Sequence, residues 1–200
     1  MTAWFSASAQ GVRPGNAEAV MDKFEEVFDL IERSFAFLES ELGLRLERAL
    51  RRRRPAYLTR IELVYSNRTT GAVVSWEPRD LYVFVMLCRL VDGQYRGDVR
   101  NVRPDTELNC FDMNDLAQVR APIDVVSGHG WGLDWPTPPG GLKGIIAGQA
   151  RNLRRYGRPI IDGDFSVFPE LDRIVKARAK EAHIKGLGAE RAREIWGNLD

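Results

Sequence analysis

Residues 57–76 read YLTRIELVYSNRTTGAVVSW, and the fold turns on how this stretch is parsed. Tyr57 to Tyr65 has the period of two expected of a half-buried strand, with Ile61, Leu63 and Tyr65 on one face. Asn67-Arg-Thr-Thr-Gly71 is a turn signal, and Ala72 to Trp76 is its partner strand. Pro78-Arg-Asp80 makes the next turn. Leu81 to Val91, rich in β-branched and aromatic residues, follows as a central strand. Upstream, Leu44 and Leu46 begin a short strand that leads into a basic edge at Arg51, Arg52, Arg53 and Arg54. Sequential strands joined by short turns make an antiparallel meander of about four strands.

Helical periods flank the meander. Val20, Phe24, Val27, Phe28, Ile31, Phe35, Leu38 and Leu42 recur at spacings of three and four, which predicts one long helix from Asn16 to Leu42. Asn16 suits its N-cap and Gly43 its left-handed stop. The stretch carries eight acidic against two basic residues, a balance of −6. After the strands, Phe111 to Val119 predicts a short helix capped by Asp112 or Asn114. Residues 120–141 form a long irregular loop rich in Gly, Pro and Trp. Leu142, Ile145, Ile146, Leu153 and Tyr156 then line a helix that ends at Gly157. Pro169 opens another that runs to about Ile184, and Ala189 to Leu199 is a third. From Lys143 to Glu194 there are twelve basic and seven acidic residues, a balance of +5. Grouped strands flanked by helices specify an α+β fold: a long N-terminal helix, an antiparallel meander and two or three C-terminal helices in one domain spanning 1–200.

Composition narrows the class. With 200 residues, 44% apolar and 28% charged, the chain can bury a core without staples. A net charge of +1 argues against strong general attraction to nucleic acid or anionic membrane. The N-terminus has no basic region followed by an apolar run, and no window approaches the length needed to span a bilayer. A cytoplasmic protein is expected. Two cysteines cannot build a disulfide framework. Cys88 reads as a small core residue and Cys110 as part of a polar loop. A reducing compartment suits both, and a single bridge between them stays open.

No catalytic or metal constellation stands out, and no cofactor is expected. His129 and His183 lack ligand-spaced Cys or His neighbours, and His183 reads as a solvated helix residue. Ser127, His129 and Asp134 are close in sequence but have no Gly-x-Ser-x-Gly elbow. Asp162-Gly-Asp164 lacks the remaining ligands of a calcium loop and reads as a turn. The Ser127–Gly141 segment holds His129, Trp131, Asp134 and Trp135, a mixture that suits either a recognition loop or a cap anchored on the sheet. Arg51 to Arg54 suit a protein or phosphate contact, or the blunting of a sheet edge.

Phe35-Ala-Phe-Leu38, Glu41-Leu-Gly43-Leu44, Glu62-Leu-Val-Tyr65, Leu153-Arg-Arg-Tyr-Gly157 and Leu171-Asp-Arg-Ile174 carry a resemblance. The chain resembles a type of small uncharacterised bacterial α+β protein, some of which are immunity proteins of toxin systems. The resemblance implies a non-enzymatic protein-binding module with a protein partner, such as a toxin that it neutralises. Two other readings stay open: an enzyme or small-ligand protein with a pocket under residues 127–141, and a nucleic-acid-binding regulator using the arginine run.

Overall fold

A computed structural model describes residues 16–52, 60–76, 83–95, 102–124 and 140–197. The first helix, α1 (Asn16–Phe35), buries Phe24, Phe28, Ile31 and Phe35 along one stripe. It does not continue to Leu42. A turn at Ala36 separates it from the short α2 (Phe37–Ser40), which buries Phe37 and Leu38. The cause is geometric: residues two apart face opposite sides of a helix, so Phe35 and Phe37 reach one core only if the helix breaks between them. Gly43 then turns the chain at φ +67°, and the Leu44 amide closes back onto the Leu38 carbonyl at 2.9 Å.

The strands are β1 (Arg45–Arg52), β2 (Arg60–Ser66), β3 (Thr70–Trp76), β4 (Val83–Val91), β5 (Gln94–Tyr95) and β6 (Cys110–Asp112). The first four run in sequence order as an antiparallel meander, and β5 and β6 both pair with the far side of β4. The fold is α+β. Cross-strand rows define one buried face: Tyr65, Ala72 and Leu87; Leu63, Val74 and Val85; Ile61, Trp76 and Val83. Helices cover this face, with the Phe24 and Trp76 rings 6.2 Å apart. The β2–β3 turn is tied down as well. The Asn67 side chain accepts from the Thr69 and Thr70 amides at 2.9 and 2.8 Å and donates to the Ile161 carbonyl at 3.0 Å.

Cys110 lies in β6 rather than in a loop, directly opposite Cys88 of β4, and the two form a disulfide with Cα atoms 4.0 Å apart. The neighbouring Arg89 amide donates to the Asn109 carbonyl at 2.7 Å, which makes the cysteines a close, non-hydrogen-bonded pair across the ladder. The bridge left open by the sequence is thus present.

Asp112 caps α3 (Met113–Arg120) through the Asn114 amide at 2.8 Å, as expected. A 3₁₀ turn (Pro122–Asp124) follows, then α4 (Gly141–Tyr156), α5 (Arg158–Ile161), α6 (Phe168–Leu187) and α7 (Ala189–Trp196). Pro169 sits in the first turn of α6, which runs through Gly186 and stops at Gly188 with φ +85°. His183 is not simply solvated: its Nδ1 accepts the Trp196 indole N–H at 2.8 Å and joins α6 to α7. Among the described residues no helix is long and apolar enough to cross a membrane.

Candidate functional site on the open face of the sheet

Side chains alternate across a strand, so the residues between the core rows form the second face of the sheet, which is open at Phe84 and Tyr95 but buried at Glu62, Val64 and Cys88. Its rows follow from the same register. Arg48, Val64, Val73, Met86 and Asp112 make one; Leu50, Glu62, Ser75 and Phe84 make the next. The disulfide closes a third row that starts at Arg45 and passes through Ser66 and Gly71.

Three features distinguish this face. Phe84 stands on it 40% exposed although it lies inside an apolar run. Tyr95 reaches over it from β5, 43% exposed, with its phenol donating to the Tyr65 carbonyl at 3.4 Å. That position exists because residue 71 is glycine, since a Cβ there would collide with the Tyr95 ring. Burial of the ring pushes the Tyr95 phenol up to about 12, so it remains a neutral donor across the physiological range. The third feature is Glu62, only 7% exposed and bracketed by ion pairs from Arg48 and Arg60. Burying a carboxylate is costly without such partners.

The edge beside this face is basic. β1 carries Arg45, Arg48, Arg51 and Arg52 against one acid, Glu47. Arg45 holds Glu47 through Nε and Nη2 at 3.1 and 2.9 Å, and Ser66 adds a bond at 3.0 Å. These bonds keep the Glu47 carboxyl below its usual range, Arg45 contributing most. The group opens onto a shallow depression of about 310 Å³ lined by Gly43, Arg45, Glu47, Ser66, Asn67 and Arg68. A bulge interrupts the β1–β2 ladder between Leu46 and Arg48, and the Leu46 amide instead donates to the Glu39 carboxylate at 3.0 Å.

A second polar group lies where α3, α4 and α6 meet. Asn114, Asp115, Gln149 and Asn152 are buried there. Arg178 pairs with Asp115 at 2.7 Å, and the Gln149 amide donates to Asn114 Oδ1 at 3.5 Å. Asn152 donates to the Asp124 carbonyl at 2.6 Å, while the Asp124 carboxylate accepts from Tyr156 and, at 3.1 Å, from Arg155. Burial raises the Asp112 carboxyl to about 7; Asp115 adds to the shift, and the Asn114 amide and Arg178 oppose it. Asp124, the last described residue before the 125–139 segment, belongs to this group.

Of the residues singled out by sequence, Arg51 and Arg52 close β1 at the basic edge. Arg53, Arg54, His129, Trp131, Asp134 and Trp135 lie outside the described residues, as does most of the 127–141 loop. The Asp162-Gly-Asp164 turn is confirmed, with Gly163 at φ +96° and Asp164 accepting from the Ser166 amide at 2.9 Å. Among the described residues no group of three metal-ligating side chains gathers. Sequence reasoning missed Phe84, Tyr95 and the Arg48–Glu62–Arg60 group. The signal available was alternation: Glu62 and Phe84 occupy the positions between core residues. No protein-family model, no curated protein and no solved structure matches the chain.

Proposed function

We propose that the protein is a non-enzymatic protein-binding module of the immunity-protein type, which neutralises a toxin by docking it on the open face of the sheet. One observation carries the reading. Of the three large apolar side chains that are exposed among the described residues, Phe84 and Tyr95 share that face. Exposed aromatic side chains are over-represented among binding hot spots, where a few anchors supply most of the affinity. The acidic N-terminal and basic C-terminal charge balances add a means of steering a charged partner.

The test is capture from the native host with the wild-type chain beside Phe84→Asp and Tyr95→Ser variants whose circular dichroism matches it. The expected result is one stoichiometric protein partner, retained by wild type and lost by both variants. A wild-type chain that remains an unaccompanied monomer at working concentration overturns the reading, and so does capture indifferent to both substitutions.

A second reading, a small-ligand site, is favoured by Asn152, whose buried Oδ1 has no hydrogen-bond partner among the described residues. A ligand there at 100 times its Kd adds about 2.7 kcal/mol to stability, which a thermal-shift screen detects. Asn152→Ala should abolish the shift.

A further inference from the structure

The first strand of the sheet is an edge strand: among the described residues β1 pairs only with β2, leaving its other side without a strand. Its eight residues, Arg45–Arg52, present a row of backbone donors and acceptors about 26 Å long. Natural edges are usually blunted against self-pairing, and here the means is visible. A second copy of β1 would set four arginines against four, and like charges directly opposite one another destabilise a strand pair. The same charges favour a strand of opposite sign.

The molecule already contains a small version of that contact. At the bulge, the Leu46 amide receives the Glu39 carboxylate at 3.0 Å, between Arg45 and Arg48 in sequence. An edge N–H of β1 is therefore satisfied by an acid. Arg45 reaches solvent with its side chain 79% exposed, so its guanidinium can engage a partner while Glu47 orients it. The ladder supplies affinity through main-chain bonds and the arginines supply selection, as in other cases of strand addition.

We propose that the open edge of β1 receives an extended, acidic segment of a partner protein as an added antiparallel or parallel strand. This rests on the protein-binding reading and specifies the partner's chemistry. Nucleic acid would match the arginines but leave the backbone row unused.

The probe is an acetylated and amidated decapeptide of alternating valine and glutamate, tested against the full chain by fluorescence anisotropy and amide hydrogen exchange. Controls are the valine–lysine peptide, the valine–glutamate peptide N-methylated at alternate residues, and an oligothymidine strand. The expected result is binding by the acidic peptide with slowed exchange confined to β1. N-methylation, or Arg45→Glu with Arg52→Glu, should weaken it by about tenfold or more. Absence of binding at millimolar peptide, protection away from β1, indifference to N-methylation or to the arginine substitutions, or tighter binding of oligothymidine each overturns the proposal. Phe84 lies three strands from β1, so the two readings fail separately. Phe84→Asp should abolish partner capture and leave the peptide bound, whereas loss of peptide binding alone leaves the docking face intact.

Discussion

The two margins of the sheet are finished in opposite ways. At the β4 margin the backbone is occupied by β5 and β6, and a covalent bridge between Cys88 and Cys110 pins β6 in place. At the β1 margin no strand is added among the described residues, and the protection is electrostatic: four arginines and a bulge. The contrast shows that one edge is closed by added strands while the other is left charged. The closed margin leads into the α3 cap and serves stability. The open margin lies three strands from Phe84 and carries the arginines on which the strand-addition proposal rests.

The largest effect that separates the margins is expected from the disulfide. It spans 22 residues, and a loop of that size stabilises by about 3 kcal/mol in the chain-entropy account. Reduction, or Cys88→Ala with Cys110→Ala, should lower Tm by about 6–12 °C in calorimetry. In a reducing compartment the pair is expected as two thiols, and the lower Tm is then the working value. A smaller effect is expected at Glu62. Glu62→Gln leaves Arg48 and Arg60 with a neutral partner and should cost about 2 kcal/mol by urea denaturation.

Next comes a pH effect at the closed margin. The Asp112 carboxyl is raised to about 7 from the usual 3.8, so the native state holds its proton more tightly than the unfolded chain. Its contribution is fully present below 3.8 and is lost as pH rises through 7. Asp112→Asn, which can still cap α3, should match wild type near pH 4, gain on it as pH rises to 7, and stay more stable above. Denaturation at several pH values checks this, and a constant difference across the range refutes it. The smallest effect belongs to the open margin. Arg45→Ala removes only an exposed pair with Glu47 and should change stability by about 0.5 kcal/mol or less. A larger loss would show that β1's charge supports the fold itself.

The parts legible in the sequence were those set by local periodicity. The stripe through Phe24, Phe28, Ile31 and Phe35, the alternation of Ile61, Leu63 and Tyr65, and the cap at Asp112 each depend on neighbours a few positions away. The break between Phe35 and Phe37 was not legible, because the helical stripe continues through Phe35, Leu38 and Leu42 and nothing in it announces that Phe37 is also buried. β6 was invisible for another reason: three residues carry no usable period, so nothing in the chain announced that Cys110 would face Cys88. The candidate site was hidden by the same limit. Phe84 sits among Val83, Val85 and Leu87 in a run that reads as core throughout, and only the sheet's layering shows that it points the other way. Arg51 to Arg54 read as a basic edge in the sequence, and Arg51 and Arg52 do close the edge strand β1.

The bridge at the closed margin also reports on how the chain assembles. A slip of one residue between β4 and β6 would send Cys110 to the opposite side of the sheet from Cys88, where the sulfurs could not meet. Under oxidising conditions the bridge should therefore seal only molecules in which these strands have found their proper alignment. Counting free thiols after refolding with an oxidant then measures the fraction that has yet to reach it.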